Sequence, residues 1–139
     1  LAVVGSYFLY TQHLKNTLWF PAIAIGLLSA GVLNLNNMRD RLSDTGANKN
    51  TLAVRLGDKG AKIYHLSLLI GALVCCVSFA VLSRFETVQY FFLLPFLLLI
   101  KHGWFVWKNK TLANLDPELK KLALSTFFIS LFLWFVFLI

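Results

Sequence analysis

Charge is what this chain of 139 residues has least of: 14% of it is Asp, Glu, Lys or Arg, and only six residues are acidic. A soluble domain carries about one quarter charged residues. A shortfall of that size excludes an ordinary water-facing globular surface. Cysteine is also scarce, with only Cys75 and Cys76, adjacent inside an apolar run. Neighbouring positions on a helix point in different directions, so the pair supplies no disulfide framework. Both read as small packing residues. Internal repeats and low-complexity tracts are missing too.

Hydrocarbon is what the chain has instead. It is 58% hydrophobic with mean hydropathy +0.72, and it holds 13 Phe and 4 Trp. Charge-free runs cover 18–35, 63–83 and 122–139, which are 18, 21 and 18 residues long. At about 1.5 Å per residue, 18 residues reach about 27 Å, close to the roughly 30 Å hydrocarbon layer of a bilayer. A fourth run, 87–107, continues past Lys101 through Gly103 to Trp107. Residues 1–12 are also uncharged but short, and they read as the end of a fifth span. The expected fold is all-α: a polytopic transmembrane helix bundle, with 1–139 as a single membrane domain. The chain opens with Leu inside an apolar run, which is the expectation for a fragment. No basic stretch or small-residue cleavage site marks a signal peptide.

Alternating spans sort the basic residues by side. Loops 36–62 and 101–121 hold eleven of the 13 Lys and Arg residues; Lys15 and Arg84 lie on the other side. The positive-inside rule makes the lysine-rich side cytoplasmic. The net charge of +7 therefore reports topology and attraction to anionic membrane lipid. A nucleic-acid partner is not expected, because no soluble basic face exists.

The segment 36–62 carries the candidate chemistry. Asp40 and Asp44 fall on one face of a helix that continues out of the preceding span. Two like charges at that spacing destabilise a bare helix by a few tenths of a kcal/mol, about 0.3. A divalent cation reverses the sign. Mg²⁺ takes one or two carboxylates together with waters and substrate phosphates. Asn34, Asn36 and Asn37 add amide groups nearby. Thr45-Gly46 is expected to end the helix, with Gly46 in a left-handed cap. Arg39, Lys49 and Arg55 are cations within reach of anionic oxygens. A solvated interfacial loop accounts for the same pattern without any metal.

Asn36-Asn37-x-Arg39-Asp40-x-x-x-Asp44, followed by Gly46-x-x-Lys49-x-Thr51-Leu52-x-Val54-Arg55-Leu56-Gly57, resembles the second aspartate-rich motif of the UbiA superfamily. These are intramembrane aromatic prenyltransferases. Within the superfamily the run is similar to the branch that prenylates 1,4-dihydroxy-2-naphthoate for menaquinone synthesis. The resemblance implies the C-terminal half of a nine-helix fold. It implies a polyprenyl diphosphate held through Mg²⁺ between two aspartate-rich loops, and transfer of its polyprenyl group to the naphthoate with decarboxylation, giving demethylmenaquinone. Asp40 and Asp44 would be the metal ligands and catalytic residues. Asn36, Asn37, Arg39, Lys49 and Arg55 would bind substrate or diphosphate, and Lys101 would touch the aromatic acid. A bacterial inner membrane would be the location. The family's first motif, of Asn-Asp-x-x-Asp type, has no counterpart in this chain, so the fragment by itself is expected to be inactive. A 4-hydroxybenzoate or homogentisate prenyltransferase, and an ion or solute carrier using Asp40 and Asp44, are the alternatives.

Other polar residues have structural readings. His65 reads as an interfacial packing residue. Lys101 and His102 lie one to two turns inside the fourth span, where Lys101 snorkels to the interface. Tyr7, Tyr10 and Tyr90 read as packing or interfacial residues, and Trp104 and Trp107 as a belt. Pro95 is expected to kink its span. Asp116-Pro117-Glu118 reads as the start of the last helix.

Overall fold

The computed structural model describes residues 2–136. These residues form helices and turns, and no strand occurs among them. Helix α1 covers Ala2–Thr11, α2 Trp19–Arg39, α3 Arg41–Gly46, α4 Leu52–Leu82, α5 Pro95–Lys108 and α6 Asp116–Val136. Short 3₁₀ turns lead into α2, α5 and α6. With these turns counted, four helical segments of 24, 31, 22 and 25 residues are long and apolar enough to cross a membrane. The ends of the expected first and last spans, residue 1 and residues 137–139, lie outside the described residues.

The four long segments close into a ring. α2 packs on α4 and α6, and α5 packs on α4 and α6. Leu28, Leu35, Ala72, Cys76, Leu99 and Leu122 fill the middle, all at most 2% exposed. Cys75 and Cys76 are both free thiols, as expected of packing residues. Small residues let the backbones approach where lipid offers no hydrophobic drive for association. At Gly31 the three helices α2, α4 and α6 meet: a Cβ there would sit in ordinary contact, 3.6 Å from Leu122 and 3.9 Å from His65. Large side chains such as Leu33, Ile70, Leu97 and Trp134 point outward, 56–62% exposed. In water that pattern would be costly, but it suits hydrocarbon.

Three sequence expectations need correction. The segment 36–62, expected as a loop, is mostly helical: α2 runs to Arg39, and α4 starts at Leu52. Thr51 caps α4, its hydroxyl accepting the Val54 N–H at 3.4 Å. Only 47–51 lies outside a helix apart from the junction at Asp40. Gly46 does not take the left-handed conformation; Asn48 does, at φ 54°, and Gly57 at φ 69° breaks the first turn of α4 from the rest. Asn tolerates this region better than most residues because its short amide bonds locally. Finally, Pro95 kinks nothing. It is the first residue of α5, preceded by the 3₁₀ turn Thr87–Leu93. Its missing N–H is one of the donors a helix start leaves unpaired anyway.

Candidate active site at the membrane boundary

Asp40 stands where α2 meets α3. Its N–H bonds the Asn36 carbonyl at 3.0 Å, and its carbonyl accepts the Asp44 N–H at 2.9 Å. The i→i+4 ladder therefore passes through the junction, and the two aspartates stay one turn apart. The backbone at Asp40 relaxes only to φ −88°, ψ 3°.

The two carboxylates have different surroundings. Arg39 grips Asp40 with both arms, Nε to Oδ1 at 2.8 Å and Nη2 to Oδ2 at 2.9 Å. Asn36 adds a 3.4 Å bond from Nδ2 and accepts Arg39 Nη2 at 2.9 Å. The Arg39 hydrogen bonds hold the Asp40 carboxyl below the usual carboxylate range. The remaining arm of Arg39 reaches Asp116 on α6 at 2.8 Å, which ties the aspartate turn to the last span. Asp44 is buried, and among the described residues its carboxylate pairs with Lys49 alone, at 3.6 Å. Asp44 is thus a largely buried carboxyl group with one loose cation beside it.

Not every expected residue joins this group. Arg55 is exposed, and neither it nor Asn37 has a side-chain hydrogen bond or ion pair among the described residues. Asn34 turns the other way: its Nδ2 donates to the Ala61 carbonyl at 3.1 Å and fastens α2 to α4. Lys101 stands apart, exposed on α5 in a groove against α6. Asp58 was not singled out from sequence. It pairs with Lys62 at 2.9 Å and Arg41 at 3.7 Å, so it offsets part of the positive charge beside the aspartate turn.

The larger omission is a polar chain inside the bundle. His65 on α4 meets His102 on α5, Nε2 to Nε2, at 2.9 Å. His102 Nδ1 meets Glu118 Oε2 of α6 at 2.6 Å, and Lys121 donates to Glu118 Oε1. His65, His102 and Glu118 are at most 2% exposed. No local signal announces the chain, because its members come from three helices.

The donor set at the turn fits a hard divalent cation. A carboxylate offers about four lone-pair sites, and the contacts from Arg39 and Asn36 leave Asp40 some of them. Among the described residues no group of three or more His, Cys, Asp or Glu side chains stands ready to hold an ion. A cation at the turn would therefore take most of its ligands from water and phosphate.

Fold and site together define an integral membrane protein: a helical bundle with an acidic turn at one end of its spans. Comparison with known proteins places it further. The profile of the UbiA prenyltransferase family matches residues 1–136, and the chain belongs to that family. It is 40% identical over 131 residues to the 1,4-dihydroxy-2-naphthoate octaprenyltransferase of Haemophilus influenzae, covering 94% of this chain and 42% of that one. Against the protein so named in Escherichia coli the identity is 41%, over 87% of this chain and 39% of that one. A UbiA prenyltransferase domain-containing protein of Dictyostelium discoideum is 29% identical over 87% of this chain and 36% of its own length. The chain thus spans about two-fifths of the length of the relatives it matches. No solved structure gives a significant match.

Proposed function

We propose that the protein to which this chain belongs transfers a polyprenyl group from polyprenyl diphosphate to 1,4-dihydroxy-2-naphthoate, with loss of the carboxylate as CO₂, giving demethylmenaquinol, the two-electron-reduced form of demethylmenaquinone. The names of the bacterial relatives supply the substrates to test. The observation that carries the reading is the unbroken turn that keeps Asp40 and Asp44 together at a span's end. Family members generally use a divalent metal, and Mg²⁺ held by Asp40 and Asp44 would neutralise diphosphate charge.

The protein's own residues do the rest. Lys49 and Arg39 lie beside the two aspartates and offer N–H groups to diphosphate oxygens as negative charge develops on them. In the reaction the allylic C–O bond breaks and diphosphate leaves with the electron pair. The ring carbon bearing the carboxylate attacks the allylic cation. The C–C bond to the carboxylate then breaks, CO₂ departs, and its electrons restore the aromatic ring. No net proton is needed. Asn36 orders the site by bonding both Arg39 and Asp40. The long isoprenoid stays in hydrocarbon throughout, so its burial in water-free surroundings costs little. On this reading the acidic turn faces the cytoplasm of a bacterial inner membrane.

The test is prenyl transfer by the full-length protein in membranes, with dihydroxynaphthoate and octaprenyl diphosphate, with and without Mg²⁺. Asp40→Asn and Asp44→Asn are each expected to lower kcat by about 10²-fold or more. Unchanged turnover in both variants would sink the assignment of the turn. Turnover of 4-hydroxybenzoate in place of the naphthoate would keep the turn and change the acceptor.

A further inference from the structure

Two grooves run along the outside of the described bundle. The groove between α4 and α5 has a volume of about 430 Å³ and an apolar lining, with no polar group to select an occupant. The groove between α5 and α6, about 500 Å³, is built differently. Leu98, Phe105, Leu124 and Phe128 line its length; Lys101 and Lys121 stand over it, and Ser125 lies in it.

Three features point to a particular class of ligand. The first is charge. Glu118 also borders the groove, but both its oxygens are taken, one by His102 and one by Lys121. Lys101 has no ion-pair partner among the described residues. The groove therefore carries one uncompensated positive charge. The second is Ser125. It is 2% exposed, and its hydroxyl has no hydrogen-bond partner among the described residues. Ser29, Ser67, Thr126 and Ser130 instead bond back to carbonyls three or four residues earlier. Ser125 lines the groove, where its hydroxyl can donate to a ligand. The third is depth. Lys101 stands seven residues before the end of α5 and Lys121 five residues after the start of α6, about 10 and 8 Å along the axes. Ser125 lies about 14 Å in. Cations stand near the surface, a donor lies below them, and Leu98, Leu124 and Phe128 are 59%, 55% and 41% exposed.

We propose that this groove binds an anionic phospholipid. Its phosphate sits between Lys101 and Lys121, a glycerol-ester carbonyl accepts the Ser125 O–H, and an acyl chain lies along Leu98, Leu124 and Phe128. Basic pockets between membrane helices recognise anionic headgroups in this way. The aromatic acid of the proposed reaction suits the groove less well. Arg39 ties the aspartate turn to the α2 side of α6, whereas this groove opens on the α5 side.

The test compares phosphatidylglycerol with phosphatidylcholine of matched chains, binding to the full-length protein in detergent and read by native mass spectrometry. Wild type is expected to favour phosphatidylglycerol. Lys101→Gln should weaken phosphatidylglycerol about five-fold and leave phosphatidylcholine unchanged; Lys101→Arg should restore it. Lys101→Gln leaves the Glu118–Lys121 pair intact, so the fold is kept. Ser125→Ala should weaken both lipids. Equal binding of the two lipids by wild type, or phosphatidylglycerol binding indifferent to Lys101→Gln, would overturn the proposal. A raised KM for dihydroxynaphthoate in Lys101→Gln, with lipid binding unchanged, would give the groove to the aromatic acid instead.

Discussion

Arg39 is the residue on which the aspartate turn depends, because one guanidinium serves Asp40, Asn36 and Asp116 at once. Lysine is a point charge and cannot hold that fork. Arg39→Lys is therefore expected to lower prenyl transfer by about ten-fold, a loss of roughly 1.4 kcal/mol, while the helices remain formed by circular dichroism. The pairing also has a pH signature. Asp40's folded pKa lies below its ordinary value. Its contribution to stability is present above about pH 4 and disappears as pH falls through the depressed folded value. Thermal unfolding between pH 5 and pH 3 should show wild type losing stability on acidification, with Arg39→Gln losing less. The turn was legible in the sequence because Asp40 and Asp44 are four residues apart. The different states of the two carboxylates were not, since Asp116 lies 77 positions from Arg39 along the chain.

Within and between elements, glycines and one buried acid set how the helices behave. Gly57 has φ 69°, and no atom crowds a Cβ built there. Gly57→Ala is thus a test of backbone strain alone, expected to cost about 1 kcal/mol. Gly103 is a different case. A Cβ there would meet the side-chain ends of Leu66 at 3.0 Å and Leu69 at 3.4 Å, so the close packing of α5 on α4 leaves it little room. Glu118 holds His102 and Lys121 together across the bundle. Glu118→Ala takes the carboxylate from both, leaving His102 with His65 alone and Lys121 without an ion pair. The expected cost is about 3 kcal/mol, read as a lowered melting temperature in detergent. Sequence periodicity marked α6 and its acidic start correctly. It could not say that Glu118 turns inward, because a first-turn acid serves equally well as a surface cap.

At the scale of the whole molecule, the basic residues predict orientation. Single cysteines placed at Lys49 and Arg84, in a background with Cys75 and Cys76 replaced by serine, should label from opposite sides of sealed membranes. Position 49 should react from the cytoplasmic side. Labelling of both from one side would break the alternation of spans on which the topology rests.

Membrane embedding, the helical class and the aspartate turn were determined by the sequence alone. Hydropathy and i,i+4 spacing are local properties that any helix expresses, whatever it packs against. The tertiary structure decided the rest: that α2 converges on α4 and α6 at Gly31, that Asn34 faces α4 and leaves the site, and that His65, His102 and Glu118 form one buried chain. The reason is physical. In lipid all faces of an apolar helix look alike to the solvent, so the side that meets a partner is settled by close packing and by polar groups finding one another across helices.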